Sequence, residues 1–370
     1  MRERATTGAH AGATRSAGAA APRALRLPQS TLLRHLLLAL VAAIVLFLLT
    51  LVLDPLTNLR IAQIAFYAIA VAGLTILMGL NGQISLGHGA FMMVGAYTAA
   101  LLLRAPNSLP LVVILILAVI VTAIVGLAAG AAAARLRGPY LAGATLALAV
   151  GLPALTSRYA SVLGGDNGLS VPAPRPPDFL GADFPVERWQ AWICLAFAVL
   201  TILLLANLIR SRVGRTLRAV RDDEVAAALA GINVPRTQVL AFVISAACAG
   251  LAGGLLVVTT SLAAPGAFTL ALSLALLTGV ILGGLGSLAG AVYGAIILVL
   301  LPTYMTDLAG ALHLSTNVTA NLPLAIYGVV LAAVMLAFPG GIQGGLRRLA
   351  QAFRSSRQRA HAAPPAADHA

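Results

Sequence analysis

Long apolar runs alternate with short polar ones along this chain, and the lengths of the runs set the expected architecture. Leu36–Leu53, Ile61–Leu80, Leu86–Leu103, Leu109–Ala133, Tyr140–Leu155, Ala191–Ile209 and Val239–Thr259 each approach the length a helix needs to cross a hydrocarbon layer of about 30 Å. Leu270–Leu285 and Ser287–Leu301 form one stretch too long for a single helix, broken by Gly283, Gly284 and Gly286. This stretch reads as two spans with a glycine break or as a re-entrant pair, because irregular backbone is tolerated at membrane depth where protein covers it. Leu322–Phe338 is the last run. The pattern predicts an all-α polytopic membrane protein with about ten transmembrane helices over residues 36–340. Residues 159–189 carry Pro172, Pro174, Pro176, Pro177 and Pro185, so they read as a long external loop rather than a span.

One polar segment, residues 210–236, also reads as a helix. Asp222 and Asp223 stand where an N-cap and a negative first turn belong, with Glu224 just inside. Val225, Ala228 and Leu229 follow at helical spacing and give one apolar face. Gly231 matches a terminating glycine, and Pro235 is expected to block continuation. A helix of about two turns does not stand alone in water. It lies either against its own bundle or in the groove of a partner protein.

Charge fixes the expected orientation. The chain has 370 residues, is 60% hydrophobic and only 9% charged, which excludes an ordinary soluble domain. All 24 basic residues are arginine. Without lysine there is no phosphate loop of the Gly-Lys-Ser/Thr kind, so no ATP cofactor is expected in this chain and any ATP must be bound by a partner. With the N-terminus in the cytosol and ten crossings, 19 arginines fall inside and five outside. Both termini are then cytosolic, as a disordered basic tail over 1–35 and a basic tail over 341–370. The +13 net charge belongs to this flanking bias, and no nucleic-acid partner is expected. Cys194 and Cys248 lie in apolar runs and read as small buried hydrophobes, with no metal site and no disulfide framework.

Asn81-Gly-Gln-Ile-Ser-Leu-Gly-His-Gly-Ala-Phe91 is the most polar stretch near a span. Asn81, Gln83, Ser85 and His88 must face protein or a wet cavity. They are candidates for a packed polar turn or for the lining and gate of a translocation path, together with the Gly283, Gly284 and Gly286 break. Gly164, Gly165, Asn167 and Gly168 form a second glycine-rich turn, either simple turn chemistry or an external docking point.

Residues 224–231 resemble the Glu-Ala-Ala, three residues, Gly loop of bacterial ABC-transporter permeases, with Val225 in place of the first alanine. Asn81–Phe91 followed by Gly95-Ala-Tyr97 resembles the signature of the branched-chain amino-acid ABC permeases. Pro139–Leu148, Leu163–Leu169 and Leu282–Leu288 resemble further motifs of that family, the second of them the outer loop of its M-type subunit. The likeness runs from about residue 60 to 340. One departure is Val150–Leu155, where the family often places a Glu and an Arg. The resemblance implies a non-enzymatic transport subunit of the bacterial plasma membrane, paired with a second permease in a heterodimer. Two ATP-binding subunits would dock at Arg215, Arg221, Asp222, Asp223, Glu224, Ala227 and Gly231, and an external solute-binding protein would deliver the substrate. Urea or short amides are alternative substrates. An ion-coupled secondary transporter is disfavoured because no Asp or Glu lies deep in a span. An intramembrane hydrolase built on Ser85 and His88 lacks a third orienting group.

Overall fold

The computed structural model describes residues 31–106, 109–135, 139–181 and 183–311, with scattered positions between 326 and 351 that include the run 341–346. Most of the expected span Leu322–Phe338 and most of both tails lie outside the described residues. Helix α1 (Thr31–Val52) starts a few residues inside the expected N-terminal tail. Asp54 caps α2 (Pro55–Thr75), accepting from the Thr57 amide at 3.1 Å, and Pro55 takes the first-turn position that needs no amide. The hydrogen bonds from Thr57 hold the Asp54 carboxyl below the usual carboxylate value. A π-helical turn, Ile76–Leu80, ends this helix. Then come α3 (His88–Leu103), α4 (Leu111–Ala133), α5 (Pro139–Arg158), the short α6 (Ala160–Leu163), strand β1 (Leu169–Ser170) and α7 (Val186–Arg210). After them run α8 (Arg212–Asp222), α9 (Glu224–Leu229), α10 (Val234–Thr260), β2 (Leu262–Ala263), α11 (Leu270–Gly283) and α12 (Leu288–Ala311).

The protein is an all-α polytopic membrane protein, with β1 and β2 forming one two-residue antiparallel ladder. Six helices among the described residues are long and apolar enough to cross a membrane, fewer than the ten expected. They are α2 with its π turn, α4, α5, α7, α10 and α12, while α3, α11 and the Ala43–Val52 part of α1 are shorter.

The centre of the bundle is α2 packed antiparallel on α10. Their apolar windows are 72% and 78% buried, against 22% for α5 at the periphery. Lipid tails are as apolar as leucine, so exclusion from water cannot hold such helices together and close packing must. Small residues supply it. Gly95 of α3 lies on Gly250 of α10, Gly253 lies on the Met92 carbonyl, and Gly126 and Gly130 of α4 lie on Ala246 and Phe242. A side chain at any of these glycines would force the helices apart.

Two helices start inside the bundle. The chain leaves α2 at Leu80, and residues 82–87 run back without helical structure. His88 then lies beside Ala70, about 15 Å back along α2 from Leu80. The third expected span, Leu86–Leu103, is therefore a helix of 16 residues that begins at depth. Side chains satisfy backbone amides there: Thr145 Oγ1 accepts from Leu86 N and Ser273 Oγ from Gly89 N, both at 3.0 Å. Ser273 belongs to the first turn of α11, so α11 also starts in the interior. At 14 residues it is about 21 Å long, short of a full crossing. Gly283 lies on Gly290 and Gly279 on Gly294, so the glycine break joins α11 and α12 as an antiparallel hairpin.

Candidate functional site

One end of the bundle gathers the π turn, the end of α4, the loop from α7 to α10 and the α11–α12 hairpin. The loop is built from local rules. Ser211 opens α8, whose buried face is Gly214, Leu217 and Val220 and whose other faces carry arginine. Arg215 and Arg218 donate to the carbonyls of Arg210 and Ile209, at 3.3 and 3.2 Å, and so cap the negative end of α7. Arg221 turns inward, donating to the Gly79 carbonyl at 2.7 Å in the π turn and pairing with Asp222 at 2.8 Å.

Asp223 alone caps α9: its Oδ1 accepts from the amides of Val225 and Ala226 at 2.8 and 3.0 Å. Asp222, expected to share that role, ends α8 instead. At the other end, Ile232 N donates to the Ala227 carbonyl and Gly231 N to the Ala228 carbonyl, each at 3.0 Å. This double closure needs a left-handed residue, and Gly231 supplies it at φ 84°. Pro235, expected to block continuation of α9, lies beyond its end and inside the next helix. Asn233 caps α10 by accepting from Arg236 N, and Pro235 occupies its first turn, so the pair starts a helix rather than blocking one. Glu224 accepts from Gln238 of α10 at 2.8 Å. With α9 fixed at both ends, Ala227 is buried while Val225 and Leu229 stand 70% and 86% exposed. Val225, Ala228 and Leu229, the apolar positions predicted from spacing, are all exposed, and Val225 and Ala228 also border a cavity between α9 and the bundle.

The second polar stretch lies behind this loop. Asn81 and Gln83 are 4% and 7% exposed, and Ser85 and His88 are fully buried. His88 Nε2 lies 2.9 Å from the Ala70 carbonyl, which can only accept, so Nε2 carries the proton and Nδ1 faces Ser245 Oγ at 3.5 Å. Ser85 Oγ instead accepts from Gly87 N at 3.4 Å. Ser85 and His88 therefore do not act on one another; His88 bridges α2 and α10. Ser245, Thr145 and Ser273 were not legible as partners of His88, Leu86 and Gly89, since each lies at least 59 positions along the chain from the residue it bonds. Among the described residues, both polar atoms of Asn81 and Oε1 of Gln83 have no hydrogen-bond partner. These three atoms are sealed from solvent, but other parts of Asn81 and Gln83 border a cavity of about 850 Å³ with Leu141 and Ala142 of α5, Glu224, Val225 and Ala228 of α9, and Val234 and Gln238 of α10.

The remaining candidates lie apart from this cavity. Gly283, Gly284 and Gly286 form the α11–α12 turn, and Gly286 lies on Gly79, so this turn reaches the carbonyl that Arg221 holds from the other side. Gly164, Gly165, Asn167 and Gly168 form a tight turn at the opposite end of the bundle, leading into β1. Ser157 donates to Asp166 there at 2.6 Å, and Leu169 pairs with Ala263.

Residues 58–339 match the family model described as the branched-chain amino acid transport system permease component. The high-affinity branched-chain amino acid transport system permease protein LivM of Salmonella typhimurium is 34% identical over 263 residues, 65% of this chain and 61% of that protein. LivM of Escherichia coli is 34% identical over 264 residues, with the same coverage. LivH of Salmonella typhimurium is 28% identical over 292 residues, 75% of this chain and 91% of that protein. The chain thus spans about three fifths of the length of the LivM proteins it matches. No solved structure matches it.

Proposed function

The chain belongs to the branched-chain amino acid transport permease family, and from that premise we propose that it is the membrane subunit of an ATP-driven importer of branched-chain, apolar amino acids. It works in the bacterial plasma membrane with a second permease subunit, two ATP-binding subunits and an external solute-binding protein. It makes and breaks no bonds itself. The observation that carries this reading is α9, a six-residue helix held at both ends that turns Val225 and Leu229 outward. A helix this short gains nothing from exposing a valine and a leucine to water. Burying both in a partner's groove is worth roughly 3–5 kcal/mol, enough to fix an ATP-binding subunit there. ATP binding then draws the subunits together and moves α9, and the bundle switches between outward and inward access.

Ion coupling is less well supported, because the buried polar side chains among the described residues include no carboxylate. The test is co-purification from membranes followed by an ATPase assay, on the wild type and on Glu224→Arg and Gly231→Pro. We expect the wild type to bring down an ATP-hydrolysing subunit and the variants to lose it or uncouple it. A wild-type chain that purifies alone and moves solute without ATP overturns the proposal.

A further inference from the structure

We infer that Arg210, Arg212, Arg215 and Arg218, gathered where α7 passes into α8, form a site for the phosphate headgroup of an anionic phospholipid such as phosphatidylglycerol. This goes beyond the transport reading and shares one premise with it, that the end of the bundle bearing α9 faces the cytosol and the inner leaflet.

Like charges are held together here without a counter-charge. Arg215 and Arg218 donate to the consecutive carbonyls of Arg210 and Ile209, at 3.3 and 3.2 Å, so two guanidinium groups meet at one helix end. Arg210 and Arg212 stand exposed beside them, and their side chains make no hydrogen bond among the described residues. The negative end of α7 offsets only about half of one charge. The single ion pair among the described residues is Arg221 with Asp222. Asp222 lies about 15 Å along α8 from Arg212, beyond the range of about 8–10 Å over which exposed charges attract one another in physiological salt. Asp223 and Glu224 follow it and are engaged elsewhere, on the first turn of α9 and on Gln238. Arginine carries five N–H donors in a planar fork that matches the oxygens of a phosphate. Among the described residues, Arg215 and Arg218 each spend one of these on a carbonyl, which leaves the rest of each fork for an anion.

The position of the cluster points to a lipid as the source of that anion. The 25 residues of α7 span about 37 Å, more than the hydrocarbon layer of about 30 Å, so the ends of α7 reach the headgroup layers. Leu200 and Leu204, one turn apart on α7, are 49% and 59% exposed and present the kind of surface that acyl chains cover. Arg210 follows about 9 Å further along the axis. Helix α8 buries Gly214, Leu217 and Val220 and keeps its arginines on the other faces. Four arginines directly beyond a span, on a helix of this kind, attract anionic lipid, each strengthening the attraction about fivefold. A lipid phosphate relieves the repulsion among the four cations and holds the first turn of α8, from whose far end α9 projects.

The test uses the complex as purified from membranes, in detergent, with radiolabelled phosphatidylglycerol as the probe and phosphatidylcholine and inorganic phosphate as competitors. We expect phosphatidylglycerol to bind at least about tenfold more tightly than phosphatidylcholine. Arg210→Gln with Arg212→Gln should weaken its binding about 25-fold, at fivefold for each arginine, and Arg210→Lys with Arg212→Lys should keep most of it. Arg212→Gln alone, the second variant should the double one fail to assemble, should weaken it about fivefold. Arg60→Gln with Arg104→Gln removes the same charge nearer the opposite end of the bundle and should change nothing. Equal affinity for the two lipids, or equal losses in the two double glutamine variants, overturns the inference. Displacement of the lipid by inorganic phosphate assigns the arginines to a free anion and overturns the lipid site. A double variant that binds lipid as the wild type does but loses its ATP-binding subunits assigns them to a protein partner and overturns it too. A complex that imports leucine yet shows no lipid preference overturns this site alone. A chain that purifies without ATP-binding subunits, yet binds phosphatidylglycerol through these arginines, supports this site while overturning the functional reading.

Discussion

The two polar segments that flank the cavity, residues 222–233 and residues 81–88, fail to satisfy themselves in opposite ways. In the first, the polar side chains that shape the turn are bonded: Asp223 holds two amides, Asn233 holds one and Glu224 holds Gln238. What it leaves over is apolar, Val225 and Leu229 in the open. In the second, Ile84 is half exposed and the amides of Leu86 and Gly89 are met by side chains, but Asn81 and Gln83 remain polar, buried and without hydrogen-bond partners among the described residues. An exposed apolar residue is missing a large partner, one that brings surface. A buried carboxamide is missing a small one, one that brings hydrogen bonds. The difference sets an exposed apolar surface beside a buried polar one at the same end of the bundle.

The contrast breaks most visibly if the exposed pair is made polar. Val225→Asp with Leu229→Asp should cut retention of the ATP-binding subunits at least about 100-fold, since roughly 3–5 kcal/mol of burial is lost. Helix content should be unchanged by circular dichroism, because both side chains are mostly exposed. Next, Gly231→Val forces a β-branched residue into the left-handed region at a cost of about 1–2 kcal/mol. We expect leucine uptake in vesicles to fall about tenfold, with Gly231→Asn falling much less. Asp223→Ala removes a cap worth about 1 kcal/mol, so uptake should fall several-fold, and Asp223→Asn should restore most of it. The smallest effect has the opposite sign. Asn81→Leu should raise the melting temperature of the protein by a degree or two, as a partnerless buried amide is removed. A drop in stability would mean that Asn81 already has its partner.

The legible parts of the sequence were those ruled by neighbours in the chain. The Asp223 cap, the Gly231 stop and the apolar face of α9 depend on residues within one turn, and each was readable. Asn233 and Pro235 carried an equally local signal, yet a proline after a glycine reads as an end when the next helix is expected to begin at Val239. Hydropathy marked where apolar runs lie but not where helices begin. Leu86 and Gly87 are as apolar as a span requires, and their non-helical path depends on Thr145 of α5, which meets the Leu86 amide, and on Ser85, which meets that of Gly87. The role of His88 was illegible for the same reason, because Ala70 and Ser245 are brought to it by the packing of α2 on α10. The cavity joins Asn81 to Glu224 across more than a hundred residues of chain, a pairing no spacing rule contains.

The bond from Arg221 to the Gly79 carbonyl gives α8 a mechanical meaning. Arginine caps tie one end of α8 to α7, and Arg221 ties the other to the last turn of α2, which itself rests on Gly286. A rod fixed in this way cannot slide without carrying both attachments. A push on α8 would therefore arrive at the foot of the central helix and at the hairpin turn together.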